Sequence, residues 1–299
     1  LLGYLALTLL MTYPLVREFS RAIPGDGFDG WQNVWNLWWV KRALLVDGSS
    51  PYFTRFVDYP DGVHLYFHTL NIFNGLTFLP FTLNGGPLLA YNVAVAFSFV
   101  IGGFGTYLLA LYIMRRASPG RLLRWSRATL LAAFVAGVVY AFSPYHMAHL
   151  LGHLQLISLQ WLPFYALFAI KLIDQSQLSN IKYRISNALM AALFLVLVAA
   201  CDWYYAFYMV LFTGLYLLWT IWRRRVWLAP TLALIGTGLI FLLITSPVLV
   251  PMIRESLAAD YMVPPPGSTE RLSADLTAFL TPSELHPLWG DLAGRWASR

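Results

Sequence analysis

Residues 88–116 read LLAYNVAVAFSFVIGGFGTYLLALYIMRR. From Leu88 to Met114 no side chain is charged, and Arg115 and Arg116 follow at once. A helix needs about 20 mostly apolar residues to cross a hydrocarbon core about 30 Å thick, because backbone groups in lipid must be satisfied within the segment itself. This stretch meets that requirement and carries a basic flank at one end. Other apolar spans lie at 1–16, 128–144, 155–173, 186–201, 203–222 and 228–250, which predicts a bundle of about seven transmembrane helices. Composition points the same way. Hydrophobic residues make up 59% of the 299, aromatic residues 16% and charged residues 11%, with a mean hydropathy of +0.61. Those values lie outside the range of soluble domains.

The expected fold class is therefore an all-α polytopic membrane protein in a lipid bilayer, with interfacial helices in an outer loop. The transmembrane bundle occupies 1–250, including that outer loop at 17–69, and an outer segment follows at 251–299. A further apolar stretch, Asn71 to Leu83, is broken by Gly75 and Pro80 and reads as re-entrant or interfacial. The first span is short and lacks a basic flank, so it is expected to be a helix cut by the start of a fragment rather than a signal peptide. The chain reads as truncated at both ends.

Short loops rich in Lys and Arg stay on the cytoplasmic side. Three stand out: Arg115, Arg116, Arg121, Arg124 and Arg127; Lys171, Lys182 and Arg184; and Arg223, Arg224 and Arg225. They alternate correctly with the spans, and Asp174 is the only acid among them. The other side then holds the remaining acids and every histidine: His64, His68, His146, His149, His153 and His286. The net charge of +6 thus reports topology, and nothing resembles the basic, aromatic face that binds nucleic acid. An integral, multi-pass protein of the plasma (inner) membrane is expected, with its chemistry facing outward.

A single cysteine, Cys201, rules out an intrachain disulfide. No CxxC, P-loop, GxGxxG or HExxH is present, and no internal repeat is evident. His64-Leu-Tyr-Phe-His68 has the i, i+4 spacing of a helical metal pair but lacks a metalloprotease glutamate. Pro264-Pro265-Pro266-Gly267 is the one low-complexity hint, in the last outer segment.

The outer loop at 17–69 carries the most informative residues. Gly25 and Gly27 permit tight backbone around Asp26, and a helical pattern starts near Trp31. Trp31, Trp35, Trp38 and Arg42 share one side, with Gln32, Asn33 and Asn36 nearer the other. Such a helix is expected to lie along the membrane surface, where tryptophan prefers to sit. Asp29 either caps that helix, as Asp29-Gly-Trp-Gln32 approximates a capping box, or serves a reaction. The tryptophans anchor at the interface or stack on sugar rings. Asp58-Tyr-Pro-Asp61-Gly62 is either a plain turn or part of a site. His146, His149 and His153 share one helical face and read as interfacial histidines or as ligands. Asp202 sits where two spans meet, a costly place for an acid without a partner or a task.

An early Gly-Asp-x-x-Asp stretch in the first outer loop, a surface helix and then many spans resemble the C-type superfamily of integral-membrane glycosyltransferases. More narrowly, PGDGFDGWQNVWNLWW (24–39), YPDGVHLYFHTLN (59–71), AFSPYHMAHLLGHLQLISLQWLPF (141–164) and TPSELHPLWG (281–290) are similar to a group of bacterial polytopic proteins assigned to it. The resemblance implies transfer of a sugar from a polyprenyl-phosphate donor to an acceptor at the outer face. It also implies that an aspartate of the first outer loop acts as base or helps bind a metal, at the positions of Asp26 and Asp29.

An acceptor hydroxyl attacking an anomeric carbon needs one general base, and a departing phosphate needs positive charge nearby. On this reading Asp29 and Asp26 are catalytic. His146, His149, His153 and Arg254 meet the phosphate, with Asp202, Asp61, His64, His68 and Trp31 as further substrate contacts. A divalent metal, Mg or Mn, would be held by Asp26, Asp29, His149 and His153. The alternative is a lipid or sugar-lipid transporter of flippase type without catalysis, or a noncatalytic scaffold. Against transport, the middles of the spans hold almost no ionisable residues.

Overall fold

The structure, a computed structural model, describes residues 1–25, 28–117, 126–176, 181–258, 265–268, 270, 273, 276, 281–282 and 288–297. About 75% of the described residues are helical, with almost no sheet among them. It divides into two compact units, Leu1–Val250 and Pro251–Arg299. In order, the elements are α1 (Leu2–Met11), α2 (Phe28–Leu45), β1 (Phe53–Thr54), β2 (Val63–His64), α3 (Ile72–Thr77), α4 (Leu79–Ala117) and α5 (Arg127–Ala141). Then come α6 (Pro144–His149), α7 (Leu154–Ile157), α8 (Leu162–Asp174), α9 (Ile181–Cys201), α10 (Trp203–Arg224), α11 (Leu228–Ala258) and α12 (Gly290–Ala297). β1 and β2 pair antiparallel, Phe53 opposite His64.

Among the described residues, five helical segments are long and apolar enough to cross a membrane: α4, the run Arg127–His149, α9, α10 and α11. Two of the seven expected spans take another form. The stretch 1–16 gives the ten-residue α1 followed by a short 3-10 turn. The stretch 155–173 is divided, because α7 ends at Ile157 and α8 begins only at Leu162. Pro163 lies in the first turn of α8, where a missing N–H costs nothing, and so marks the restart. The break is stitched by polar side chains. Ser158 Oγ accepts from the amides of Asn71 (2.9 Å) and Asn74 (3.0 Å) and donates to the Leu154 carbonyl (2.8 Å).

Local sequence sets the helix starts. Ser126 accepts from the Thr129 amide ahead of α5, Ser143 from the His146 amide ahead of α6, and Pro144 follows at a position that tolerates it. The broken stretch 71–83 forms α3, capped by Asn71, and the opening of α4, which bends at Gly86 ahead of Pro87. Where α4 crosses α5, Gly103 and Gly137 lie against each other and against Tyr4. A Cβ on Gly137 would collide with the Gly103 carbonyl. The close crossing gathers a core of Tyr91, Val95 and Phe99 with Leu154 and Ile157, all nearly inaccessible.

At the far end of α4 the basic segments meet. Asp174 on α8, with its side chain 5% exposed, receives Arg116 from α4, Arg224 from α10 (3.1 Å) and the Tyr216 hydroxyl (3.1 Å). The ends that carry Arg116, Asp174 and Arg224 are thus tied together by the one acid among them. Arg121 and Arg124 lie outside the described residues. The rise from Phe99 to Arg116 along α4 is about 25 Å at 1.5 Å per residue. Residues packed around Phe99 therefore lie near the other boundary of the bundle.

α2 departs from a simple surface helix. Asn33 and Asn36, on the side expected to be polar, are 1% and 2% exposed, and Trp39 is buried as well, while Trp31 is 56% exposed. The amides are tolerated inside because they satisfy loop carbonyls: Asn36 Nδ2 donates to the Thr69 carbonyl at 2.8 Å.

Candidate functional site

Helix α2 begins at Phe28, which puts Asp29 in its first turn. Its carboxylate Oδ2 lies 3.1 Å from His153 Nε2. The contact joins two segments far apart in sequence, and glycines make the approach possible. Gly25 has φ +98°, and a Cβ there would collide with the Leu151 carbonyl. Gly152 has φ +136°, and a Cβ there would sit 3.1 Å from the Gly30 nitrogen. Only glycine adopts such backbone without strain. Asn33 then staples the crossing, its Nδ2 lying 3.2 Å from the Gly152 carbonyl, 3.2 Å from Gln155 Oε1 and 3.0 Å from the Asp29 carbonyl.

His149 extends the pair. Its ring packs edge-on against His153 with centroids 5.0 Å apart, and against Tyr145 at 4.4 Å. The Tyr145 hydroxyl lies 2.9 Å from that of Tyr205, which donates to the Leu156 carbonyl at 2.5 Å. The Nδ1 atoms of His149 and His153 are covered and have no hydrogen-bond partner among the described residues. Asp29 and His153 remain about one-third open, with side-chain exposures of 35% and 38%. A substrate can therefore reach both.

The other expected site residues are dispersed. His146 is fully buried and stacked on Phe99 with centroids 4.0 Å apart. Its Nδ1 lies 2.7 Å from the Ala141 carbonyl and its Nε2 2.9 Å from that of Ile157, so it is a core residue with both nitrogens occupied and not a phosphate contact. The helical i, i+3, i+7 face of His146, His149 and His153 is interrupted, since α6 ends at His149 and His153 precedes α7. Asp202 caps α10 by accepting from the Tyr204 amide at 2.8 Å. Burial raises its carboxyl above the usual carboxylate range, with the amides of Tyr204 and Tyr205 pulling the other way.

His64 and His68 are no helical pair, for the first belongs to β2 and the second to the turn after it. The His64 ring is stacked on Tyr66, while His68 Nε2 accepts from Gln32 Nε2 at 2.7 Å, and burial lowers the His68 pKa. Asp61 is exposed in the turn closed by the Gly62 amide on the Asp58 carbonyl. Arg254 is exposed and belongs to the second unit. Asp26 and His286 lie outside the described residues.

Among the described residues no three His, Cys, Asp or Glu side chains are placed to hold a metal ion. Asp29 with two imidazoles is also not the all-oxygen set that Mg prefers. Asp26, the fourth expected ligand, lies outside the described residues, and the chemistry below is built on the side chains alone.

Sequence reasoning missed Asn33, Gln155 and the Tyr145–Tyr205 pair. Tyr145 had a signal, as it stands one helical turn before His149. The two amides had none, because only the crossing of α2 with residues 152–155 gives them work.

Helical content, apolar spans and a tied basic end define a multi-pass α-helical membrane protein. Comparison with known proteins adds nothing more specific: no protein-family model, curated protein or solved structure matches the chain.

Proposed function

We propose that the protein is a membrane glycosyltransferase that moves a sugar from a polyprenyl-phosphate donor to an acceptor hydroxyl, with Asp29 and His153 at its centre. The observation that carries this reading is the 3.1 Å contact between them, which unites the early acid of the outer loop with the histidine segment. The site's neighbour His146 packs at the level of Phe99, about 25 Å along α4 from Arg116. If the basic end faces the cytoplasm, as the positive-inside rule requires, the pair lies at the outer surface of the inner membrane, where a lipid-linked head group is presented.

In this mechanism His153 Nε2–H donates to one carboxylate oxygen and fixes the orientation of Asp29. The other oxygen takes the proton of the acceptor hydroxyl as that oxygen bonds to the anomeric carbon. The bond from that carbon to the phosphate oxygen breaks in the same displacement, so the configuration inverts and no second nucleophilic carboxylate is needed. The phosphate leaves with its electron pair and is met by the Nε2–H of His149, beside His153. Trp31 on the exposed side of α2 offers an apolar face to the donor.

The test is reconstituted protein with labelled polyprenyl-phosphate sugars. Release of lipid phosphate by the wild type, and its loss in Asp29→Asn with insertion unchanged, is the expected result. Sugar lipid crossing leaflets without release would replace the reading with a transporter.

A further inference from the structure

The end of the bundle that carries the arginines holds a groove that the transfer reading leaves unused. It lies between α4, α8 and α9 and has a volume of about 420 Å³. Phe164, Phe168 and Phe194 form its apolar wall, and Tyr112, Arg115 and Lys171 stand at one end. From Phe164 to Lys171 the groove rises about 10 Å at 1.5 Å per residue. One leaflet of hydrocarbon is about 15 Å deep, half of the roughly 30 Å core. The groove thus spans the part of a leaflet nearest the head groups.

Lys171 at its mouth is not neutralised by an acid among the described residues. The Lys171 ammonium lies 4.9 Å from the ring centroid of Phe168 and 5.3 Å from that of Tyr112, and it makes no salt bridge among the described residues. Asp174, three residues on, is already engaged by Arg116 and Arg224. A stem lying along apolar rings with its cation at the membrane surface is what a phosphate would meet at head-group depth. Apolar walls over about 10 Å, ending in two cations, match a molecule that is hydrocarbon below and anionic above.

We propose that this groove binds one acyl chain of an anionic phospholipid, whose phosphate is met by Lys171 and Arg115. The site is at the opposite end of the bundle from Asp29 and His153 and does not rest on the transfer reading. Each cation near a membrane surface strengthens binding of an anionic lipid about fivefold, corresponding to about 1 kcal/mol.

The experiment measures retention of labelled phosphatidylglycerol and of phosphatidylcholine with the same chains, by purified protein in mixed micelles. Preferential retention of phosphatidylglycerol is expected, falling about fivefold in Lys171→Gln and returning in Lys171→Arg. Met190→Trp, which fills the groove but keeps both cations, is expected to lower retention as well and serves if Lys171→Gln does not fold. Asp29→Asn is expected to bind the lipid as the wild type does. Equal retention of the two lipids, an unchanged Met190→Trp protein, or displacement of the lipid by inorganic phosphate alone would overturn the proposal.

Discussion

Replacing Gly152 by alanine tests how the fold builds the site. At φ +136° an L side chain is strained, at a cost of about 1–3 kcal/mol. The new Cβ also lies 3.1 Å from the Gly30 nitrogen, backbone that cannot rotate away as a side-chain tip can. The cheapest relief is to move residues 151–153 off α2, which separates His153 from Asp29 and pulls the Gly152 carbonyl from Asn33. A strain of that size shifts the paired population about 5- to 150-fold. Lipid-phosphate release should fall over the same range, read beside the thermal midpoint in detergent. Gly48→Ala is the control, since Gly48 also has positive φ but meets nothing within 4 Å; it should cost some stability and no activity. A Gly152→Ala protein with full turnover would refute the claim that this crossing positions the pair.

Substitutions at three other positions separate structure from chemistry. Asp174→Asn should destabilise the protein by about 1–3 kcal/mol, less than a fully buried pair because Arg116 and Arg224 keep over a third of their exposure; an unchanged thermal midpoint would contradict its role as tie. Asp202→Asn should leave both turnover and stability near wild type at pH 7, as asparagine caps equally well and removes a buried charge, whereas Asp202→Ala should lose about 1 kcal/mol. Loss of transfer in a folded Asp202→Asn protein would place that acid in the reaction. His68 has its pKa lowered by burial, so its contribution is present above the ordinary histidine range and lost as pH falls through that range towards the folded value. The thermal midpoint of the wild type should thus drop more than that of His68→Gln between pH 7.5 and 5, and parallel curves would exclude it.

The apolar run of α4 was legible because lipid leaves a chain few options, and the same constraint made α5, α9, α10 and α11 readable. The span at 155–173 misled because Ser158 and Gln160 look like minor polar interruptions until Asn71 and Asn74 are seen to hold Ser158 in a real break. Pro163 was the signal to weigh. In the site, residue types pointed to Asp29, His149 and His153, yet the same helical periodicity grouped His146 with them. Its burial against Phe99 depends on how α4 meets α6, which a spacing rule does not contain. Periodicity placed Asn33 only on the side of α2 away from Trp31, and did not reveal it as the staple that holds the crossing.

The most direct test of the account is a double-mutant cycle on lipid-phosphate release, comparing wild type, Asp29→Asn, His153→Gln and the double variant. Residues that act as one unit are strongly non-additive. The account predicts that the double variant loses no more turnover than Asp29→Asn alone. Losses that multiply, or turnover that survives Asp29→Asn, would contradict it.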